Sequence, residues 1–437
     1  VIVGRVQRVP RVGWGIADQA LSSLLNLGLG LLVARSVTTS AFGAFALAFS
    51  TYLLVLGVCR ALIAEPLLVR YSAKEGAVWR GAVRGATGAG VLLGVALGLA
   101  CVLVGRLASG ALGDALFPLG LVLPGLVLQD TWRYAFFAEA RGGRAFAIDL
   151  VWLATLLPVL ALVELVGIHG VGKFVLGWGL AAWLAAAFGA FQAQVVPNLR
   201  LARGWMSGQR DLALPFLCEF VALGAGELAL FGVGGVVGLA AVGALRGGQI
   251  LLGPLRVLFL GIRLAAIPDG VRLLQESPVH LRRMAVALST LLVVAALGWA
   301  GALLVLPTSL GEKLLGSSWV NADATILPLS LAMAATGAMT GAFVGLRALA
   351  AARRSLRTRV LIVPFIVAGS LVGAEMGGAR GAAWGAALVT WLAVSLWWRQ
   401  FLDALAGYSG GRPLGRGHAA EPAHGKRRQS VTFRSIG

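Results

Sequence analysis

Apolar segments of about twenty residues recur along the whole chain, and no motif constrains the fold as much. About 20 apolar residues in a helix cross a bilayer, and within lipid only helices and closed barrels satisfy every backbone donor and acceptor. The segments fall near 12–34, 42–64, 85–105, 116–137, 147–167, 174–195, 212–232, 235–260, 285–306, 324–346, 360–376 and 381–401. They are continuous rather than alternating, which excludes a β-barrel. Only 13% of the 437 residues are charged, against about a quarter in soluble domains, which excludes a soluble bundle. The sequence is that of an all-α polytopic membrane protein with about twelve transmembrane helices. Its 61 Gly and 13 Trp suit close helix packing and interfacial anchoring.

Lys and Arg test the count. With twelve spans both termini share one side, and that side should carry the basic residues. Of the 37 Lys and Arg, 28 fall there. Five fall on the other side: Arg35, Arg106, Lys173, Lys313 and Arg380. Arg60, Arg246, Arg256 and Arg263 lie within spans. The expected localisation is the cytoplasmic (inner) membrane, multi-pass, with both termini cytoplasmic. The net charge of +19 is then a matter of basic loops against anionic lipid heads, and no nucleic-acid partner is expected. The first segment is long for a signal peptide and lacks a small-x-small cleavage site, so it reads as a retained helix. The Gly-, Pro- and Arg-rich tail from Gly407 reads as disordered.

A short repeat divides the chain. Ala41-Phe-Gly43-Ala44 is echoed by Ala241-Val-Gly243-Ala244, and Pro66-Leu-Leu-Val69-Arg70 by Pro268-Asp-Gly-Val271-Arg272. Six spans per repeat make both halves enter from one side, which gives a pseudo-twofold along the membrane normal. The expected organisation is a basic cytoplasmic N-terminus (1–11), a six-helix N-lobe (12–200), a cytoplasmic linker (201–211), a six-helix C-lobe (212–401) and a basic cytoplasmic tail (402–437).

Several motifs carry no chemistry. Gly167-Ile-His-Gly-Val-Gly172-Lys173 matches GxxxxGK, but Phe174 stands where a P-loop needs Ser or Thr, and no strand precedes it. It reads as a turn with a Lys anchor. Cys59, Cys101 and Cys218 form no CxxC pair, so neither a disulfide framework nor a metal site is indicated. Gly90, Gly94 and Gly98, and Gly377, Gly381 and Gly385, have helix-packing spacing. No Ser/His/Asp or metal constellation occurs, and the longest outer connection, Pro307 to Asp323, is short; the chain does not read as an enzyme.

Ionisable groups within the spans carry the functional signal, because each costs at least roughly 2.5–3.5 kcal/mol in a bilayer. Asp18, Ser22 and Asn26 lie at i, i+4 and i+8 on one helical face. Arg60 and Glu65 follow in the second span, Gln129, Asp130 and Arg133 in the fourth, Glu219 and Glu227 in the seventh, and Arg246, Gln249 and Arg256 in the eighth. One reading is a cationic cavity for an anionic headgroup, since the planar guanidinium donates two hydrogen bonds to a phosphate at once. Arg60, Arg246, Arg256, Gln249 and Asn26 would line it. Asp18, Glu65, Glu219 and Glu227 would be counter-charges or sites for a coupling H+ or Na+. The competing reading is structural ion pairs, or arginines snorkelling to the interface. Arg133 and Arg263 are expected to be of the latter kind.

At Leu31 to Leu54, LLVARSVTTSAFGAFALAFSTYLL, the chain resembles the polysaccharide and lipid-linked oligosaccharide flippases of the multidrug/oligosaccharidyl-lipid/polysaccharide exporter superfamily. Ala34-Arg35, a short polar loop, then Phe42-Gly43 is the pattern of their first hairpin. Gly243-Ala244, Gln249 and Gly253-Pro254 resemble its second-half counterpart. The resemblance implies a two-lobe exporter moving a polyprenyl-diphosphate-linked oligosaccharide outward, with membrane lipids and polysaccharide polymerase machinery as partners and no cofactor. It implies a diphosphate grip at Arg60 and Arg256. Replacing either by Ala is expected to stop export at normal expression, with Lys rescuing only in part. A cation-coupled multidrug antiporter of the same fold is the alternative.

Overall fold

A computed structural model describes residues 8–72, 74 and 76–408; a few side chains within its helices, Glu219 among them, lie outside the description. The described chain is helical, without strands. Helix α1 spans Arg8–Ser36 and α2 Thr39–Cys59, capped by the Thr38 hydroxyl, which accepts from the Ala41 N–H. A π turn at Arg60–Ala64 joins α2 to α3, Glu65–Tyr71. The π turn lies just before Pro66, which has no N–H to return to Leu62, so the regular ladder lacks a rung there. Then follow α4 (Gly76–Leu107), α5 (Gly110–Ala138), α6 (Gly142–Leu165) and α7 (Gly170–Ala193). The expected linker is itself helical: α8, Leu199–Gly208, buries Ala202 and Trp205.

The second half is more broken. It comprises α9 (Arg210–Leu223), α10 (Ala225–Val237), α11 (Leu239–Leu251) and α12 (Gly253–Glu276). Next come α13 (Pro278–Leu304), the short α14 (Thr308–Leu315), α15 (Trp319–Ala348) and α16 (Ala352–Ala406). The boundary expected at Gly232 to Gly235 lies inside α10; the breaks are at Gly224 and at Gly238, whose φ of 99° only glycine adopts freely. Between α11 and α12 the chain bends 53°, just before Pro254. Helix α16 doubles back at Gly377–Gly378, where the backbone leaves helical geometry, and a Cβ on Gly369 would meet Gly385 backbone.

By length and composition, nine described helices can cross a membrane, or ten with α11 and α12 as one span. Twelve is not reached on that measure, because the α9–α10 segment is broken into short pieces and the α16 hairpin counts once. Large apolar side chains on the bundle's outside, such as Leu99, Leu103, Leu157, Phe365 and Leu392, are exposed; on a protein in water they would form a sticky belt, and here they face lipid.

Lipid tails are as apolar as leucine, so helices associate through close packing. Accordingly Gly90, Gly94 and Gly98 of α4 face Thr131, Pro124 and Gly120 of α5, and a Cβ on Gly94 would lie 2.8 Å from the Pro124 Cα. The P-loop look-alike is a turn, with φ of 88° at Gly167 and 66° at Gly170; Lys173 pairs with Glu164 at 3.2 Å.

The repeat glycines meet each other. A Cβ on Gly43 would clash with the Leu239 carbonyl and come 3.0 Å from the Gly243 nitrogen; one on Gly243 would clash with the Thr39 carbonyl and come 3.1 Å from the Gly43 nitrogen. Each glycine thus touches the residue four before the other. That reciprocity is the mark of a twofold contact.

Candidate functional site

Arg60 opens the π turn and faces two ways. Its Nε and Nη2 donate to Asp130 Oδ2 and Oδ1 at 2.8 and 2.7 Å, a planar fork on a carboxylate of which only 3% is exposed. Its Cζ lies 5.4 Å from the Tyr134 ring. A third of the side chain (34%) remains exposed, in a cavity of about 520 Å³ that Glu65, Tyr134, Phe216, Phe220 and Glu227 also line. Glu227 accepts a hydrogen bond from the Ser50 hydroxyl at 2.5 Å.

Behind Arg60 lies a buried charge network. Arg133 pairs with Asp18 on α1, with Asp130 at 3.3 Å on its own helix and with Asp149 on α6 at 3.3 Å. The Gln129 amide donates to Asp149 at 2.7 Å. Three carboxylates therefore meet two guanidiniums, and Asp18 Oδ1, Gln129 Oε1 and Asp149 Oδ2 are buried with no hydrogen-bond partner among the described residues. This corrects the expectation for Arg133. It is not a snorkelling anchor; α5 runs past it to Ala138, and it is 6% exposed at the centre of the network.

A second cavity, about 560 Å³, lies between α1, α2, α11 and α12. Its polar wall is Ser23, Asn26, Arg246, Gln249 and Arg256; Leu24, Leu27, Phe45, Phe49, Ile250 and Val257 make it largely apolar. Arg246 stacks on Phe49 at 4.7 Å and reaches Gln249 Oε1 at 3.3 Å. Arg256 has no ion-pair or hydrogen-bond partner among the described residues. The Asn26 carbonyl oxygen is buried with no hydrogen-bond partner among the described residues.

The structure thus sorts the sequence-derived residues into three places. Arg246, Gln249, Arg256 and Asn26 share one cavity. Arg60, Glu65 and Glu227 share the other; Leu53 lines both. Asp18 joins neither. It shares a helical face with Asn26 but turns into the network, so the two do not act together. Arg60 and Arg256, expected as one grip, line different cavities. The Glu219 side chain lies outside the described residues. Asp149 was absent from the expected set, although a carboxylate inside the apolar run Ala145–Trp152 is visible in the sequence.

Both cavities lie on one side of a clamp. At the other end the Thr39 hydroxyl donates to the Ser317 carbonyl at 3.4 Å, the Ser317 hydroxyl to the Val37 carbonyl at 3.5 Å, and Gly316 sits tightly against Arg35. With the Gly43–Gly243 crossing, these contacts hold the first and second halves together at that end.

That arrangement of helices is similar to the one in solved transporters. The inward-facing conformation of a multidrug resistance MATE family transporter of the MOP superfamily superposes with a TM-score of 0.69 over 88% of this chain and 94% of that one, at 13% identity. The chain has the fold of the MOP-superfamily transporters. The lipid II flippase MurJ in an inward closed conformation gives 0.67 over 90% of each chain at 11% identity. The outward-facing conformation of a MATE family transporter of the MOP superfamily gives 0.57 over 90% and 93% at 14% identity. No protein-family model matches the sequence, and no curated protein matches it.

Proposed function

We propose that this MOP-fold chain is an exporter of an anionic lipid-linked cargo, a polyprenyl-diphosphate-linked oligosaccharide, for cell-surface polysaccharide synthesis. The observation that carries the reading is the cavity between α1, α2, α11 and α12. It joins an apolar wall, suited to a prenyl chain, to two arginines, suited to a diphosphate. In a site partly shielded from water an arginine–phosphate contact gains strength from the lower dielectric. Transport would proceed by alternating access of two six-helix lobes, the clamp opening as the far end closes. A coupling H+ or Na+ would be taken up where three buried aspartates face two arginines.

Multidrug efflux is the second reading, and one observation favours it. The cavity beside Arg60 presents Glu65 and Glu227, the charge a cationic drug requires. Two assays on membranes with matched protein levels separate the readings. Arg256→Ala should abolish surface-glycan export and leave resistance to cationic drugs unchanged. Loss of drug resistance in Glu227→Gln, with glycan export intact in Arg256→Ala, would replace the first reading by the second.

A further inference from the structure

At the clamp end of the first half, where α4 gives way to α5 and α6 to α7, lies a further cavity of about 470 Å³. Three ionisable side chains line it: Arg106 from the last turn of α4, Asp114 from the first two turns of α5, and His169 just before α7. Arg106 lies over the Phe117 ring, its Cζ 5.2 Å from the centroid. Arg106 and Asp114 do not pair with each other, and neither they nor His169 make a side-chain hydrogen bond or ion pair among the described residues. His169 is the cap residue of α7, yet its side chain makes no capping bond. Phe117, Pro118, Leu121, Ile168 and Leu176 give the cavity an apolar wall. Leu121 is exposed, as are Leu107 and Leu165 at the ends of α4 and α6. The cavity is thus a charged recess set against the lipid-facing belt.

We propose that this recess binds a phospholipid whose zwitterionic headgroup carries a primary ammonium, phosphatidylethanolamine. A cation and an anion that stand in one cavity without pairing match a ligand that carries both charges. The Arg106 guanidinium suits the phosphate, to which its planar fork donates two hydrogen bonds, and His169 adds a ring N–H donor. The Asp114 carboxylate only accepts, so it suits an ammonium that still has N–H groups to donate. A headgroup with a phosphate alone would set a like charge against Asp114, and an amine alone would set one against Arg106. A quaternary ammonium has no N–H to give. The exposed leucines offer acyl chains a surface continuous with the bilayer. The site goes beyond the transport reading: it lies in the first half alone, shares no residue with the two cavities between the halves, and does not require that the cargo be a glycan.

The test is native mass spectrometry and thermal unfolding of the purified full chain, titrated with phosphatidylethanolamine, phosphatidylglycerol, phosphatidylcholine or free phosphoethanolamine. Wild type should retain phosphatidylethanolamine in preference to the other two lipids. Asp114→Asn should weaken that retention about tenfold, the worth of a hydrogen bond to a charged group, and leave phosphatidylglycerol no worse held than before. Arg106→Gln should weaken retention of both lipids. Lys313→Gln removes an exposed cation at the same end, on α14, and should change neither. All three side chains are exposed, so the unfolding temperatures without lipid should match wild type. Preference of wild type for phosphatidylglycerol would overturn the zwitterion assignment. Stabilisation by phosphoethanolamine that depends on Arg106 and Asp114, without lipid retention, would overturn the lipid assignment. Equal retention in all variants, or equal loss in Lys313→Gln, would overturn the site altogether.

Discussion

Arg133 and Arg256 are both arginines within apolar helices, yet their surroundings are opposite. Arg133 is walled in by Asp18, Asp130 and Asp149 and reaches no cavity described above. Arg256 projects into a largely apolar cavity, makes no hydrogen bond or close ion pair among the described residues, and feels the Glu227 charge only at longer range. A buried charge that is paired costs little to keep and much to break, because removing one partner strands the other. A charge kept unpaired beside a cavity is a standing cost that a ligand can offset. The comparison separates arginines that hold the first half together from arginines available to cargo. Arg60 lies between these cases, forked onto Asp130 on one side and exposed to a cavity on the other.

The largest effect is expected at Arg133. Arg133→Leu leaves three buried carboxylates with only Arg60, and should destabilise by about 3–5 kcal/mol, seen as loss of the folded peak on size-exclusion chromatography. If Arg133→Leu folds normally, the distinction between the two kinds of arginine collapses. Arg60→Ala should cost less, about 1–3 kcal/mol, because Asp130 keeps Arg133 at 3.3 Å. Its export defect should therefore come with reduced protein level. That sharpens the sequence-based expectation, which gave Arg60 and Arg256 the same outcome.

The clamp gives the next effect. Gly43→Leu or Gly243→Leu forces a side chain into the backbone of the opposing helix. Cross-linking between cysteines placed at Thr38 and Ser317, in a background without Cys59, Cys101 and Cys218, should fall sharply in either variant. Unchanged cross-linking would show that the glycine crossing does not hold that end shut. The smallest effect on stability is expected at Arg256: Arg256→Ala should shift unfolding by no more than about 0.5 kcal/mol, as at a surface site, while export is lost.

Much of this was legible in the sequence, for physical reasons. Continuous apolar runs set the helices of the first half and the α16 hairpin, because lipid leaves no other way to satisfy the backbone. Glycine spacing gave the α4–α5 packing. The α9–α12 region was harder to place, since Gly224, Gly232, Gly234, Gly235 and Gly238 all punctuate it and hydropathy does not say which of them turns. Arg133 was misplaced because it stands near the end of an apolar run, while the aromatic Trp132–Phe137 stretch extends the helix past it. The matching glycines 43 and 243 could be read as a repeat, but not as touching each other, because contact between distant segments leaves no local pattern. The same holds for the separation of Arg60 from Arg256.

Binding of farnesyl diphosphate, a short prenyl diphosphate, to the purified chain tests the central claim most directly. Wild type should bind it saturably. Arg256→Lys should bind less tightly, and Arg256→Ala about tenfold or more weakly, all three unfolding at the same temperature. Equal affinity in wild type and Arg256→Ala, or a loss that appears only together with unfolding, would contradict the assignment of that cavity to an anionic cargo.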